Sequence, residues 1–553
     1  MTDSPFSFKL LSPNEGTPGG SGGSGIGTPN LLADSPTFNG AFSPDSLAAS
    51  FGVDIGGNGD RSSGLRNVIA PNKNSVRSRF GRRRSKSEVV KRDIEDVVEI
   101  LRRRPGAVSE VGIERLAKNN GLEVFKEDIE GGKRISLGGR ISLIDIDLML
   151  PQSKVTKVAF SLASNKSEFA TMFMSGADDI LLRDLQRPTL DAFAKNFERI
   201  ARHDKLSTSE IDNFQVLSSL YHHALYKIYE RETAAGIDAE NEGQGYPEIH
   251  AKDAIGLSVW YWNERHGSES ERTRYRVLVE IDEAEHTGAA GGGGVAQNNG
   301  WIVEDDMFTP AGQVNWNEPD YSDLQEQVTG FVLTLDPPVA IPYYDAAILD
   351  PEGEAEVETF PTFDGSKDTL SMATATAKNA MDETVEYEFS LTSTRIAEMR
   401  KIEKVYVGHP RQIMQVFEIL RQSIRTRSLV HSVFNFNAPE PLSPAGLVSL
   451  KDLQAETELS RRVSVKVTTP YGAAPQVYLI MATTDYNSPD LNPRLTSVLF
   501  EIARGGKIQV ASLAVNEMVK FDGKQEMQSS LERVVSNTED LAAVAEWIRE
   551  QVH

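Results

Sequence analysis

Residues 211–228 read IDNFQVLSSLYHHALYKI. Ile211, Phe214, Leu217, Leu220, Tyr221, Leu225 and Ile228 recur at helical spacing, so one side of an amphipathic α-helix is apolar throughout. Such a stripe belongs either in the chain's own core or against a partner. Ser207 or Ser209 is the expected start, and Ala234-Ala235-Gly236 ends the helix. Upstream, Leu190, Phe193, Phe197 and Ile200 mark another helix, which Pro188 is expected to begin. A shorter helix, capped by Ser109 and stopped by Gly121, points Ile113, Leu116 and Ala117 inward. A further one is expected over 87–104, from Ser87 to the Pro105-Gly106 stop.

Between these helices the period changes to two. Ile144, Ile146, Leu148 and Leu150 alternate with Asp145, Asp147 and Met149, and a partner strand follows through Val155, Val158, Phe160 and Leu162. Past residue 250 strands dominate, at 255–262, 275–281, 331–335, 387–391, 405–407, 463–467, 477–481 and 496–502, with helices at 410–423 and 538–552. The class is α+β, without the strict strand–helix alternation of a doubly wound sheet. The domain expectation is a disordered tail over 1–85, a helical and β N-terminal domain over 86–235, a linker over 236–252, and β-rich C-terminal structure over 253–553. Loop insertions are expected at 284–300 and 350–384.

The tail is set apart by composition. Residues 1–90 hold 14 Gly, 7 Pro and 15 Ser, too little apolar surface to offset an ordering cost of about 1–2 kcal/mol per residue. Six Ser/Thr-Pro pairs lie in it, at Ser4, Ser12, Thr17, Thr28, Ser35 and Ser43, as candidate phosphorylation sites. It ends in a basic neck: residues 77–92 carry eight Lys or Arg against Glu88 alone. Arg82, Arg83, Arg84 and Lys86 form a candidate nuclear-import cluster, with nucleic-acid contact as the alternative. The whole chain of 553 residues has a formal charge of −22, which argues against direct sequence-specific DNA binding. No secretory signal and no membrane-length apolar run are read from it.

Chemistry is hard to find. With no cysteine, disulfides, thiolate zinc sites and cysteine nucleophiles are excluded. The lysines that follow glycine, at 133, 507 and 524, lack the next Ser or Thr of a phosphate loop. Asp145 and Asp147 share one strand face, a geometry open to a cation and equally that of any half-exposed strand. His222-His223 diverge on their helix, and His409-Pro410 reads as a helix start without a visible nucleophile nearby. The expectation is no catalytic residue, no metal and no cofactor.

Three stretches carry a resemblance. The first is DILLRDLQRP, 179–188, leading to Leu190, Phe193, Asn196, Phe197 and Ile200, then the long helix ending LYKIY, 225–229. The second is FVLTLDPPV, 331–339. The third is His409-Pro410 with Ile413, Val416, the run Ile419-Leu420-Arg421-Gln422, Leu429 and Ser432. In this order they resemble the fungal branch of the Mediator complex subunit 1 family, over roughly 87–550. The resemblance implies a nuclear, non-enzymatic subunit of Mediator's middle module. Its partners would be other Mediator subunits and, indirectly, RNA polymerase II and transcription factors. The L-x-x-L-L boxes by which animal members dock on nuclear receptors have no counterpart here, since the leucines in LLRDL, 181–185, stand in the wrong order. The residues alone also admit a kinase-regulated scaffold or adaptor outside transcription and, less well, a metal-dependent hydrolase around Asp145, Asp147 and His409.

Overall fold

The computed structural model describes residues 105–552 except 151–153, 164–173, 175, 209–211, 268–269, 271, 284–302, 310–313, 317–328, 351–356, 363–368, 394, 435–460, 471–472, 485–492 and 516–523. The tail, the basic cluster Arg82, Arg83, Arg84 and Lys86, the six Ser/Thr-Pro sites, the helix expected over 87–104 and the 284–300 insertion therefore lie outside the described residues.

Ser109 takes the Gly112 N–H on its hydroxyl at 3.1 Å and so opens α1 (Glu110–Asn119), and Gly121 leaves the helix with a left-handed φ of 80°. Four strands then form an antiparallel meander: β1 (Glu123–Ile129), β2 (Gly132–Gly138), β3 (Ser142–Met149) and β4 (Lys154–Leu162). Ile135, Leu137, Ile144, Ile146, Leu148 and Phe160 fill its inner side. The alternation at 144–150 foretells β3, but β1 gives no such sign because five of its seven side chains are exposed.

α2 (Ala177–Leu185) and α3 (Asp191–Leu206) bring Ile180, Leu181, Phe193, Phe197 and Ile200 into the same core. Pro188 stays outside α3, since Thr189 pairs with Ala107 in an isolated bridge. Near its end, α3 holds the turn between β2 and β3: the N–H groups of Arg140, Ile141 and Ser142 donate to the Asp204 carboxylate at 2.7, 2.9 and 2.8 Å. Gly139 is required there, because a Cβ would stand 2.3 Å from Asp204 Oδ2. Asp204→Ala leaves three amides without their acceptor and is expected to cost about 3 kcal/mol, readable as a lowered urea midpoint. A loss under 0.5 kcal/mol would show that water replaces the carboxylate freely.

The long helix is interrupted. It consists of α4 (Asn213–Ser219), a π turn (Leu220–Leu225) and α5 (Tyr226–Ala234). Asp212, not Ser207, caps it, accepting the Phe214 and Gln215 N–H groups at 2.9 and 3.3 Å, and Ser209 lies outside the described residues. Ser207 instead closes α3, with its hydroxyl donating to His203 O at 2.7 Å. Within the π turn Tyr226 N–H donates to Tyr221 O, five residues back, and the His223 carbonyl accepts Val303 N–H at 2.8 Å. Phe214, Leu217, Leu220, Leu225 and Ile228 are all buried in the chain's own core, whereas Ile211 lies outside the described residues.

The second sheet runs in the order β5 (Tyr246–Ile249), β6 (Leu257–Asn263), β7 (Arg274–Glu283), β8 (Thr329–Pro342), β12 (Arg395–Val407), β9 (Val357–Thr362), with α6 (Tyr343–Leu349) following β8 in the chain. The third runs β10 (Thr369–Lys378), β11 (Thr384–Ser393), β13 (Arg462–Thr468), β14 (Gln476–Thr484), β15 (Pro493–Ile502), β16 (Ile508–Val515). Its pairs are antiparallel except β11 with β13, which is parallel. Between those two strands the chain departs to build β12 and α7 (Arg411–His431). α8 (Lys524–Thr538) and α9 (Leu541–Val552) complete the described chain.

Two expectations change. The stretch 236–252 read as linker contains β5, paired with β6, and the stretch 350–384 read as an insertion contains β9 and β10. The apolar core divides elsewhere: one cluster draws on residues from Ile113 to Ile424, the other on residues from Ala340 to Ile548. α7 belongs to both, through Ile413, Val416, Phe417 and Leu420 in the first and Leu429 and Val430 in the second.

Candidate functional site

The carboxylates of β3 are engaged by the neighbouring strand. Arg134 donates to both oxygens of Asp147 at 2.7 and 3.1 Å, which holds that carboxyl below its usual range, and Ser136 donates to Asp145 at 2.5 Å. Among the described residues no group of three or more His, Asp or Glu is placed to hold a metal ion. His409 is buried, and its Nδ1 accepts Arg411 N–H at 3.0 Å. Gln412 reaches back so that its Oε1 accepts the N–H groups of Gly408 and His409 at 2.7 and 2.9 Å. The pair His409 and Gln412 thus satisfies amides at the start of α7, as a cap must. His222 and His223 lie on the π turn, where burial lowers the pKa of both.

The buried polar chemistry collects on α7. Its Arg421 is 1% exposed, and its guanidinium donates to three carbonyls, from Nε to Tyr261 O at 2.9 Å and from Nη2 to Glu240 O at 2.8 Å and Gly243 O at 2.7 Å. Burial pulls this guanidinium down to about 10, against the pull of Glu232 and Glu418, so it stays charged near neutrality. One residue on, Gln422 donates to Ile502 O at 2.6 Å. A turn later Arg425 donates to Glu539 Oε1 at 2.7 Å, to Gly506 O at 2.9 Å and to Ser536 O at 3.0 Å. Glu539 is wholly buried and accepts two more bonds, from Ser428 Oγ at 3.2 Å and Arg265 N–H at 3.3 Å. A single helix therefore ties together the 239–243 loop, the 502–506 loop and the junction of α8 and α9.

A smaller knot joins α3 to the second sheet. Asn196 Nδ2 donates to Asp184 Oδ2 and to Asp253 O, both at 2.7 Å, while its Oδ1 accepts Ile255 N–H at 2.9 Å. Burial raises the Asp184 carboxyl, and the Asn196 bond and Arg187 oppose it. Nearby, Glu280 takes Arg199 at 3.2 Å and Arg202 at 3.6 Å. Asn196, Arg421 and Gln422 stand in the stretches quoted above for the resemblance. Arg425 and Glu539 do not, and their 114-residue separation hides them from any local reading. The C-terminal helix is capped by Asp540, which accepts Ala542 N–H at 2.8 Å, and not by Thr538, which ends α8 with its hydroxyl on Val534 O.

His203, at the heart of this region, has its imidazole pushed down to about 4, first by burial and then by Arg202 and Arg199, with Glu280 and Asp282 opposing. A base depressed in the folded state lends stability that is complete above the unfolded pKa of 6.5 and is lost as pH falls through 4. His203→Gln is expected to remove about 3 kcal/mol of the acid destabilisation between these limits. Urea unfolding at pH 7 and pH 4 checks it; equal losses in both proteins would contradict the burial argument.

A sequence profile of the family described as Mediator of RNA polymerase II transcription subunit 1 matches residues 95–435. Three fungal proteins of that name are similar to the chain. The one from Schizosaccharomyces pombe is 33% identical over 162 residues, 28% of this chain and 35% of the relative. That from Eremothecium gossypii is 31% identical over 112 residues, 20% of this chain and 26% of the relative. That from Saccharomyces cerevisiae is 31% identical over 116 residues, 20% of each. The chain thus spans about a third or less of the length of these curated relatives.

Proposed function

Because the chain belongs to the Mediator of RNA polymerase II transcription subunit 1 family, we propose that it serves as a non-enzymatic subunit of the Mediator coactivator in the nucleus. It links gene-specific regulators to RNA polymerase II by holding surfaces in place rather than by chemistry. The single observation that carries this reading is the family match over 95–435, within which Asn196, Arg421 and Gln422 fix the interior. Its direct partners are other subunits of the middle module, and regulators and polymerase are reached through them. Within the N-terminal region, Arg82, Arg83, Arg84 and Lys86 serve import, and Ser4, Ser12, Thr17, Thr28, Ser35 and Ser43 receive phosphate.

Affinity purification of the tagged full chain from nuclear extract, with mass spectrometry of what stays bound, tests the proposal. Mediator subunits recovered at near-equal amounts are the expected result. Recovery of the chain alone, or with cytoplasmic partners, would overturn it.

A further inference from the structure

Tyr221, Tyr226 and Tyr229 stand in a row along the helix that holds the π turn, and Tyr246 of β5 extends the row. Successive ring centroids are 5.6, 6.0 and 5.0 Å apart, and all four residues are half-buried. Carboxylates accompany the rings. Burial raises the Tyr221 phenol to about 12, and Tyr226, Tyr246, Glu248 and Glu230 raise it further in the same direction. At the Tyr246 end a guanidinium is already stacked: Arg274 lies 5.9 Å from the Tyr246 ring centre and 4.0 Å from that of Trp260, while paired with Glu240. Aromatic faces beside carboxylates are what arginine-rich peptide binds.

We propose that the occupant of this tyrosine row is the chain's own basic segment, residues 77–92. Charge supports the pairing, since that segment carries eight basic residues against one acid, whereas residues 105–553 hold 43 basic and 69 acidic side chains. So does the point at which the chain enters. Gly106 O accepts Leu190 N–H, so the described chain begins beside the junction of α2 and α3. From α2 and the turn after it, Arg183 and Arg187 pair with Asp253, close behind the strand that carries Tyr246. Arg92 stands thirteen residues before Pro105, a tether of about 20 Å as the helix expected over 87–104 and about 40 Å if extended. Tethering supplies an effective concentration in the millimolar range, so weak stacking contacts suffice. Docked in this way, Arg82, Arg83 and Arg84 are occupied by the row, and docking competes with any other use of them. The proposal does not depend on incorporation into a complex.

Zero-length carbodiimide cross-linking of the purified full chain, read by mass spectrometry, tests it. At 50 mM salt Lys86 or Lys91 is expected to join Glu230 or Glu248. The yield is expected to fall at least fivefold at 500 mM salt, and equally in Arg82→Ser/Arg83→Ser/Arg84→Ser, which leaves the described fold untouched. Lysines joined to acidic residues across the whole body in proportion to exposure would overturn the proposal, as would yields indifferent to the arginine changes. Glu230 and Glu248 joined only to lysines of another protein, in chain purified within a complex, would give the row to a partner instead.

Discussion

Glu539→Ala is expected to cost about 3–5 kcal/mol of folding stability, the largest effect of any single substitution considered for this protein. The change leaves Arg425, which is buried among Trp262, Gly506 and Ser536, with a charge and no counter-ion. Ser428 Oγ and Arg265 N–H lose their acceptor at the same time. Arg425→Ala should be nearly as damaging, because it strands the carboxylate. The double change Arg425→Met/Glu539→Met should recover most of the loss, since no uncompensated charge then remains inside. Urea unfolding of the four proteins makes the comparison. A loss below 1 kcal/mol for Glu539→Ala would mean that the junction opens to water. The position is informative too: Glu539 lies well beyond residue 435, where the family match ends, yet it completes the surroundings of a helix inside that match.

Arg421→Met is the second large effect, about 3 kcal/mol. Methionine matches the stem but leaves the carbonyls of Tyr261, Glu240 and Gly243 without a donor in a dry site. Arg421→Lys should recover less than half of the loss, because one ammonium cannot span three carbonyls that a planar fork reaches together. The readout is again the urea midpoint, with co-purification of Mediator subunits as a second. Full rescue by lysine would show that charge, not geometry, is what the site needs.

Much of the architecture was legible from residues, for a reason visible in β13 and β14. Val463, Val465 and Val467, then Val477, Leu479 and Met481, point inward, and their neighbours do not. Strands without that contrast escaped. β1 is mostly exposed, and the middle of β10, ATATA at 373–377, sets small beside small. The π turn leaves no trace in the apolar spacing, because Leu220, Ala224 and Leu225 are all buried, at intervals an α-helix would also give. The polar interior of α7 was beyond reach. Arg421, Gln422, Arg425 and Ser428 look like an ordinary wet face until the loops that bind them are in place. His409 was visible as a helix start, and the bonds of its Nδ1 and of Gln412 give that reading its atoms.

The parallel pairing of β11 with β13 has a consequence for the order in which the protein can be made. Synthesis runs from the N-terminus, and among the described residues the apolar members of the first core all lie at or before Ile424, so it can close while the ribosome is still adding the rest. β10 and β11 can pair with each other as they emerge, but the second edge of β11 must wait, because β13 begins only at Arg462. During that interval β11 offers an unpaired edge carrying Tyr387, Phe389 and Leu391, side chains that end fully buried. The nascent chain is thus most exposed to mispairing over a defined window of translation, and slow elongation between codons 393 and 462 should raise its demand for chaperones more than slowing anywhere earlier.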